Sequence, residues 1–439
     1  MRKMKYKITK NKADVSLWIL ILIVNVYRII LGFKLTEKDL IFDVDYLKYY
    51  KPVADNFSET YFNNDKNFTS LSAQVTPIFP LFLKLTNFAN LGMLLTLVAS
   101  ILVLVITYFI SSKYVSSKFA KLSVLFVSIE PAFFASTINL APESIFSFVV
   151  LLGLFFGICK PLTYTRVNYF IFFICLSFSV IIKPVSLVTI LFVFVLCIIQ
   201  YYRSKKLNYI FYAILTAIFP ILWSIRNFWI HGFFNVSTIA SHNLFFYEGV
   251  AALAEESDMT FEEAVNNESI RRQRIIGESS EVIKLYEYNL GRGQELIINN
   301  PFGFLISHIK GIGKLFFGIY KSRFIYIFKD VYRIESQMLI YIFYLFLLLI
   351  IIFIWFMFMI GIIRNYKNFD VWQVLMLLII ITILLPASGQ IAYARFRAPV
   401  SPIICIFAAL GAKSISQELS NQFNSNYYLA KFIKAIKSK

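Results

Sequence analysis

Charged residues, cysteine and histidine are all scarce in this sequence. Only 15% of the 439 residues are Asp, Glu, Lys or Arg, whereas a soluble domain carries about 25%. None of the 4 cysteines has a CxxC spacing, so neither a disulfide framework nor a metal site is indicated. His231, His242 and His308 have no ligand spacing either. These shortages exclude an ordinary soluble domain and predict that lipid surrounds most of the chain.

Long apolar runs take the place of the missing charge. Apolar residues make up 58% of the chain, and the mean hydropathy is +0.68. A helix of about 20 such residues crosses the ~30 Å of hydrocarbon in a bilayer. The sequence therefore predicts an all-α integral membrane protein with about ten transmembrane helices, within a range of nine to thirteen, over residues 15–33, 90–110, 119–138, 142–159, 167–182, 184–201, 208–229, 337–362, 370–388 and 395–413.

The positive charge of the chain reports its topology. Lys and Arg outnumber the acids by 43 to 25, which gives a formal net charge of +18. In a polytopic protein Lys and Arg collect in cytoplasmic loops, so this charge does not indicate nucleic-acid binding. The run Val15–Phe33 has no small-residue cleavage site and predicts a retained first span. With a cytoplasmic N-terminus, every segment predicted to lie inside is basic and almost free of acids: Arg2–Lys12, Lys113–Lys121, Lys160–Arg166, Arg203–Lys206, Arg364–Lys367 and the C-terminus from Lys413.

Two segments predicted to lie outside are too long to be simple turns. They run over residues 34–90 and 231–336. In the second, Leu253–Asn266 and Ile270–Asn299 are predicted polar helices. Phe302–Phe328 is predicted to be an amphipathic interfacial helix, because each of its cations would cost about 2.5–3.5 kcal/mol at the bilayer centre. The chain thus divides into one polytopic membrane domain, 1–413, and a basic cytoplasmic tail, 414–439.

Several short motifs, taken in order, resemble one family. They are Thr76-Pro77-Ile78-Phe79-Pro80-Leu81, Pro142-Glu143-Ser144, Lys183-Pro184, Trp223-Ser224-Ile225-Arg226-Asn227 with Gly232, and Arg395-Phe396-Arg397-Ala398-Pro399-Val400. Together they resemble the polytopic GT-C glycosyltransferases of the protein O-mannosyltransferase and lipid A aminoarabinose transferase type (family 39) over residues 15–410. The resemblance implies a hexosyl- or pentosyltransferase that takes a sugar from a polyprenyl-phosphate carrier. The acceptor would be a lipid, a surface glycan or a protein on the external face.

The first long segment carries two acids one residue apart, Asp43 and Asp45. Inverting glycosyl transfer needs a carboxylate that deprotonates or orients the acceptor, and the resemblance gives this role to one of the pair. The family's acid is usually followed four residues later by Tyr. Asp45 and Tyr49 match that spacing, so Asp45 is predicted to be the base ahead of Asp43.

Two other roles for the acids stay open. One or both could cap a loop helix, or the pair could hold a divalent metal, because hard cations prefer carboxylates. No His or Cys cluster accompanies the pair, so no metal or other cofactor is required. Glu143, behind Pro142 at the outer start of a span, is predicted either to stabilise its helix through the dipole or to be a further catalytic carboxylate.

Cations at the predicted outer ends of spans run against the inside bias of Lys and Arg. Arginine gives bidentate contacts to phosphate, and the phosphate of a polyprenyl donor would lie at this depth. Snorkelling to lipid headgroups is the alternative for any single one of them. Arg395 and Arg397 are two residues apart, so they would diverge on a helix. The predicted donor-phosphate ligands are Arg226, Arg395, Arg397, Lys183 and Lys84.

Other function classes fit the sequence less well. A ligase or polymerase of surface polysaccharide usually relies on a long loop rich in Arg and His, and the acids of the first segment argue against it. A transporter or flippase of lipid-linked glycans would show paired halves with midplane charges, and a scaffold would not need arginine at the outer ends of its spans. The high Lys, Asn, Ile and Phe content indicates an AT-rich genome and hence a bacterial source, so the sequence predicts a multi-pass protein of the bacterial inner (plasma) membrane.

Overall fold

The computed structural model describes residues 2–34, 46–62, 69–86, 89–277 and 281–436, and within these ranges it contains helices and no strand. The helices are α1 Arg2–Lys34, α2 Lys51–Asp55, α3 Phe57–Tyr61, α4 Thr69–Gln74, α5 Ile78–Leu85, α6 Ala89–Ser111, α7 Ser117–Ile129, α8 Pro131–Thr137, α9 Glu143–Cys159, α10 Thr165–Ile182, α11 Leu187–Ser204, α12 Asn208–His231, α13 Ile239–Asn243, α14 Val250–Glu256, α15 Phe261–Ile276, α16 Val282–Asn299, α17 Pro301–Phe317, α18 Lys321–Tyr326, α19 Gln337–Asn365, α20 Val371–Leu384 and α21 Ser401–Ile436.

The chain is a multi-pass membrane protein, because several helices are long and apolar enough to cross a bilayer. Among the described residues 7 helices meet that requirement, and the bent pair α7 and α8 raises the number to 8. The predicted spans 142–159 and 370–388 coincide with apolar helices that are shorter, Glu143–Cys159 and Val371–Ala387. The 17 residues of α9 rise about 26 Å, less than the hydrocarbon thickness. Length and composition therefore support seven or eight spans where the sequence predicts ten.

Helix α21 is more enclosed than the other long helices that could span a membrane. In its membrane-length window 78% of the residues are buried, against 33% for α19. These two helices approach closely where Gly361 of α19 faces Phe407 and Gly411 of α21 faces Met357, because a Cβ atom at either glycine would collide with the facing backbone carbonyl. The tight contact fixes α21 in the bundle and so fixes the segment that precedes it, residues 394–400.

The connections gather at two ends of the helix bundle. At one end, the two long segments meet where the Ser237 hydroxyl donates to the Gln74 carbonyl at 2.5 Å. At the other end, Lys413 Nζ donates to the Tyr114 carbonyl at 3.1 Å, and Arg364 pairs with Glu418. The described parts of both long segments therefore lie at one end, opposite the short basic connections.

A sharp bend separates α7 from α8. Proline lacks an N–H and disfavours helical geometry in the residue before it. Glu130, directly before Pro131, is accordingly extended, and the two helices are inclined by 64°. The Glu130 carboxylate caps α8 by accepting from the backbone N–H groups of Ala132 and Phe133 at 3.2 and 2.7 Å. The predicted span 119–138 is therefore bent.

The second long segment has more breaks than the sequence predicts. The predicted helix Leu253–Asn266 ends at Glu256, and α15 begins anew with a capping box in which Thr260 and Glu263 exchange hydrogen bonds. The predicted helix Ile270–Asn299 is interrupted at Gly277, whose positive φ of 64° suits glycine. The predicted interfacial helix 302–328 is also divided, because α17 ends at Phe317.

Candidate active site

Asp43 and Asp45, the predicted base residues, lie outside the described residues. Tyr50, which follows them in the chain, packs its ring edge-on against Phe79 with 4.8 Å between ring centroids. Phe79 belongs to α5, the helix of the first-segment proline motif. The chain five residues after Asp45 is thus fixed to that motif, while the position and role of the acids stay predictions.

Three other predicted site residues come together at the end of the bundle that holds both long segments. The Lys183 ammonium donates to Glu143 Oε1 at 2.7 Å, and their side chains are only 14% and 4% exposed. Arg395 lies close enough to stabilise the same carboxylate electrostatically. Lys183 Nζ and Arg395 Cζ each lie 5.3 Å from the ring centroid of Phe396. Two cations therefore face one carboxylate.

Local sequence explains how Lys183 and Glu143 reach the group. Pro184 forces Lys183 out of α10 into an extended conformation, with φ −147° and ψ 111°. Glu143 is the first residue of α9, so it projects from the end of the helix. Its second oxygen, Oε2, is buried and accepts no hydrogen bond within the described chain. A polar atom left in this state costs about 1–3 kcal/mol.

Arg226 forms a second cationic group against the first long segment. Its guanidinium donates to the Tyr61 carbonyl at 3.1 Å and to Asn227 Oδ1 at 2.9 Å. It also lies 5.0 Å from the ring centroid of Trp223, and its Nη1 is 3.1 Å from His231 Nε2. The sequence motif that contains Trp223, Arg226 and Asn227 therefore positions one half-buried cation.

Residues 72–76 connect the two cationic groups. The Tyr61 hydroxyl donates to the Val75 carbonyl at 2.8 Å, and the Tyr61 carbonyl is the one that Arg226 holds. The Thr76 hydroxyl donates to the Ile182 carbonyl at 3.1 Å, and Ile182 directly precedes Lys183. Residues 72–76, which lead into the first-segment proline motif, therefore connect Arg226 to the group of Glu143, Lys183 and Arg395.

Arg397 is occupied by structural contacts. The side chain is 1% exposed, and its Nε and Nη2 donate to Glu130 Oε1 at 2.9 and 2.7 Å. The remaining N–H groups donate to the carbonyls of Leu315, Phe316 and Gly318. A guanidinium has five N–H donors, and all five are used here. Arg397 consequently has no donor left for the phosphate that the sequence assigns to it.

Neither Lys84 nor Glu130 belongs to the two cationic groups. Lys84 lies at the surface, whereas Glu130 is buried beside Arg397. Lys84 is exposed and lies over the ring of Phe57, with 5.7 Å from Nζ to the centroid. Glu130, which the sequence reasoning did not single out, is 3% exposed and also accepts from the Ser401 hydroxyl at 2.8 Å. A signal for Glu130 is present in the sequence, since an acid directly before proline in an apolar run is typical of a helix cap.

A buried acid in the second long segment was also missed. Glu248 is 9% exposed, and burial raises its pKa to about 8. His308 Nε2 lies 3.2 Å from its Oε2, and a Cβ atom at Gly389 would collide with its carboxylate. The carboxyl is therefore largely protonated near neutral pH and packs α17 and the segment before Arg395 together. An acid between Phe245 and Val250 in an apolar run is the signal that could have identified it.

No family model and no curated protein matches the chain. Among solved structures it is similar to an oligosaccharyltransferase from Archaeoglobus fulgidus in the apo form, with a TM-score of 0.46, 13% identity and 93% of this chain covered. It is also similar to the archaeal oligosaccharyltransferase AglB from Archaeoglobus fulgidus in complex with an inhibitory peptide and a dolichol-phosphate, with a TM-score of 0.43, 11% identity and 93% coverage. The chain spans 52% of the length of each. Similarity at these scores supports no conclusion about function. Such a conclusion depends on the residues of the chain itself.

Proposed function

We propose that this protein is a membrane glycosyltransferase of the GT-C type. It takes a sugar from a polyprenyl-phosphate carrier and transfers it to a lipid, surface glycan or protein at the extracytoplasmic face. The observation that carries the proposal is the meeting of Lys183, Arg395 and Glu143 at the end of the bundle where both long segments lie. Two cations thus lie at the depth where a lipid-linked phosphate would be held.

The proposed reaction needs a base and a phosphate site. The acceptor hydroxyl attacks the anomeric carbon, its oxygen forms the new glycosidic bond, and its proton passes to Asp45. The bond from the anomeric carbon to the phosphate oxygen breaks, and the electron pair leaves with polyprenyl phosphate. Lys183 and Arg395 stabilise the charge that develops on this leaving group. Glu143 holds both cations in place before the donor arrives.

The other predicted cations take different roles in this proposal. Arg226 is the second phosphate ligand, because it is half-buried and linked to Lys183 through residues 72–76. Lys84, which is exposed over Phe57, stays at the rim of the site. Arg397 supports the segment that carries Arg395 and does not contact the phosphate.

The sidedness of the chain is open to a direct test. With both termini cytoplasmic in a bacterial inner membrane, an alkaline phosphatase reporter fused after Glu256 is expected to be active, because the second long segment lies outside. The matched fusion after Lys205, in a short basic connection, should be inactive. The opposite pattern would overturn the proposed topology.

The assignment of the base is tested with two matched variants. Asp45→Asn is expected to reduce transfer by about 10²- to 10⁴-fold, because general base catalysis contributes that much, while Asp43→Asn should retain activity. A strain that lacks the gene is complemented with each variant, surface glycans are analysed by mass spectrometry, and the amount of protein in the membrane is measured by immunoblot. Full activity in both variants would show that neither Asp43 nor Asp45 is the base. Identical glycans in the deletion and parent strains would contradict transfer to a surface glycan.

A further inference from the structure

A small cavity with both polar and apolar lining, the latter from Val282 and Leu285, lies between α4 of the first long segment and helices of the second. Its volume is about 100 Å³. Its walls are fixed by contacts between the segments, including a hydrogen bond from Thr238 N–H to the Ala73 carbonyl at 3.0 Å. The residues that line it and bear on its chemistry are Gln74, Thr238, His242, Arg272, Tyr286 and Asn289.

The side chain of Asn289 carries an unsatisfied hydrogen-bond acceptor. Its side chain is 6% exposed, and Oδ1 is buried without a hydrogen-bond partner in the described part of the chain. Buried polar atoms are nearly always satisfied in folded proteins. Asn289 lines the cavity, so a ligand in the cavity would lie beside a residue with an unsatisfied acceptor.

Arg272 supplies a positive charge to the same cavity. Its guanidinium lies 5.1 Å from the ring centroid of Phe246, and within the described ranges no carboxylate pairs with it. The neighbouring helix provides a contrast, because Arg292 on α16 donates to both oxygens of Glu268 at 2.9 and 2.6 Å. Arg272 is thus a half-buried cation that the fold positions by stacking.

His242 adds a neutral polar group beside Arg272. Its ring packs against Phe246, with 4.8 Å between centroids. Burial and the charge of Arg272 lower the pKa of His242 to about 4, so the ring is uncharged near neutral pH. The uncharged ring can therefore both donate and accept hydrogen bonds. The same is true of the Gln74 and Asn289 amides and of the Tyr286 and Thr238 hydroxyls. Such groups suit a hydroxylated ligand, and the positive charge of Arg272 favours an anionic one.

We propose that this cavity binds the acidic group of an acceptor glycan, a carboxylate or phosphate substituent together with the hydroxyls beside it. The volume corresponds to about three water molecules, so it holds one edge of a sugar and leaves the rest of the glycan outside. Gln74 lines the cavity, and Thr76, two residues on and about 7 Å away at most, contacts the residue before Lys183. An acceptor held here would extend toward the proposed phosphate site. That the ligand acts as the acceptor rests on the proposed function. The binding of an acidic sugar in the cavity does not depend on it.

Direct binding to the full-length purified protein tests the cavity without any transfer reaction. The probes are glucuronate, glucose 6-phosphate, inorganic phosphate and neutral glucose, measured by saturation-transfer NMR and calorimetry. We expect at least one acidic sugar to bind about 10- to 100-fold more tightly than glucose, as a charged hydrogen bond requires. The comparison of glucuronate with glucose 6-phosphate identifies the preferred anion. Phosphate bound as tightly as glucose 6-phosphate would contradict recognition of a sugar.

Matched variants locate the binding. Arg272→Met is expected to weaken the acidic sugar about 10- to 100-fold, whereas Arg271→Met, at the exposed neighbouring position, should leave it unchanged. Asn289→Leu should also weaken binding while the thermal unfolding midpoint stays the same or rises, a pattern that a purely structural asparagine would not produce. Arg272→Lys should bind measurably if Arg272→Met fails to fold.

The outcomes separate this proposal from the proposed function. Binding of acidic sugars by a protein that transfers no sugar would uphold the cavity and reject the enzyme. Transfer activity in a protein that binds glucose as tightly as glucuronate would uphold the proposed enzyme and overturn the proposed cavity. The same conclusion would follow if Arg272→Met left the affinity for the acidic sugar unchanged.

Discussion

A double variant, Lys183→Met with Glu143→Gln, is expected to fold normally and to lose at least about 10²-fold of its transfer activity. One donor aimed at developing charge is worth about 10²–10³ in rate, and this variant removes the ammonium proposed to face the leaving phosphate. Replacing both members of a buried ion pair by neutral residues of similar shape is often neutral for stability. The loss therefore reports function, measured as transfer of labelled sugar by the protein in nanodiscs.

Single variants and an exposed pair serve as controls for this result. Lys183→Met alone leaves the Glu143 carboxylate buried with less compensation, so it should lower stability as well as activity. The pair Lys310 and Glu255, with side chains 58% and 24% exposed, allows the same two chemical changes away from the site. Lys310→Met with Glu255→Gln should transfer sugar at the normal rate. Normal activity in the Lys183 and Glu143 double variant would exclude this group as the phosphate site.

The helices could be predicted from the sequence because lipid imposes a simple rule on composition. A spanning segment must be apolar over about 20 residues, so each predicted interval coincides with helical structure. The rule does not determine local breaks. The bend at Glu130 and Pro131 lies inside an apolar run, and the restart at Thr260 depends on a capping box that competes with a continuous polar helix.

The site could be predicted only in part, because sequence does not state which helix ends are neighbours. Proximity to the predicted outer ends selected Glu143, Lys183 and Arg395, and the fold brings these three together from distant positions. The same criterion selected Arg397, whose partner Glu130 is 267 residues away. A cation near a membrane surface can serve a ligand or a buried carboxylate, and only the packing distinguishes the two.

Arg397→Ala is expected to lower the free energy of unfolding by about 3–5 kcal/mol, the cost of removing one partner of a buried ion pair. Glu130 would remain enclosed without its cation, and the carbonyls of Leu315, Phe316 and Gly318 would lose a donor. Arg397→Lys should recover only part of the loss, because an ammonium has three donors at one point while the guanidinium has five in a plane. The measurement is the thermal unfolding midpoint of the purified protein in detergent.

The matched control is an exposed arginine, Arg364, that also pairs with a glutamate. Arg364 contacts Glu418 of α21, and their side chains are 41% and 49% exposed. Exposed pairs contribute about 0–1 kcal/mol, so Arg364→Ala should barely move the midpoint. If Arg397→Ala were equally harmless but abolished transfer, Arg397 would be a ligand of the substrate, as its sequence position suggests. If it unfolds the protein while the Arg364 variant does not, the arginine two residues after Arg395 acts as the support on which the proposed phosphate site is built.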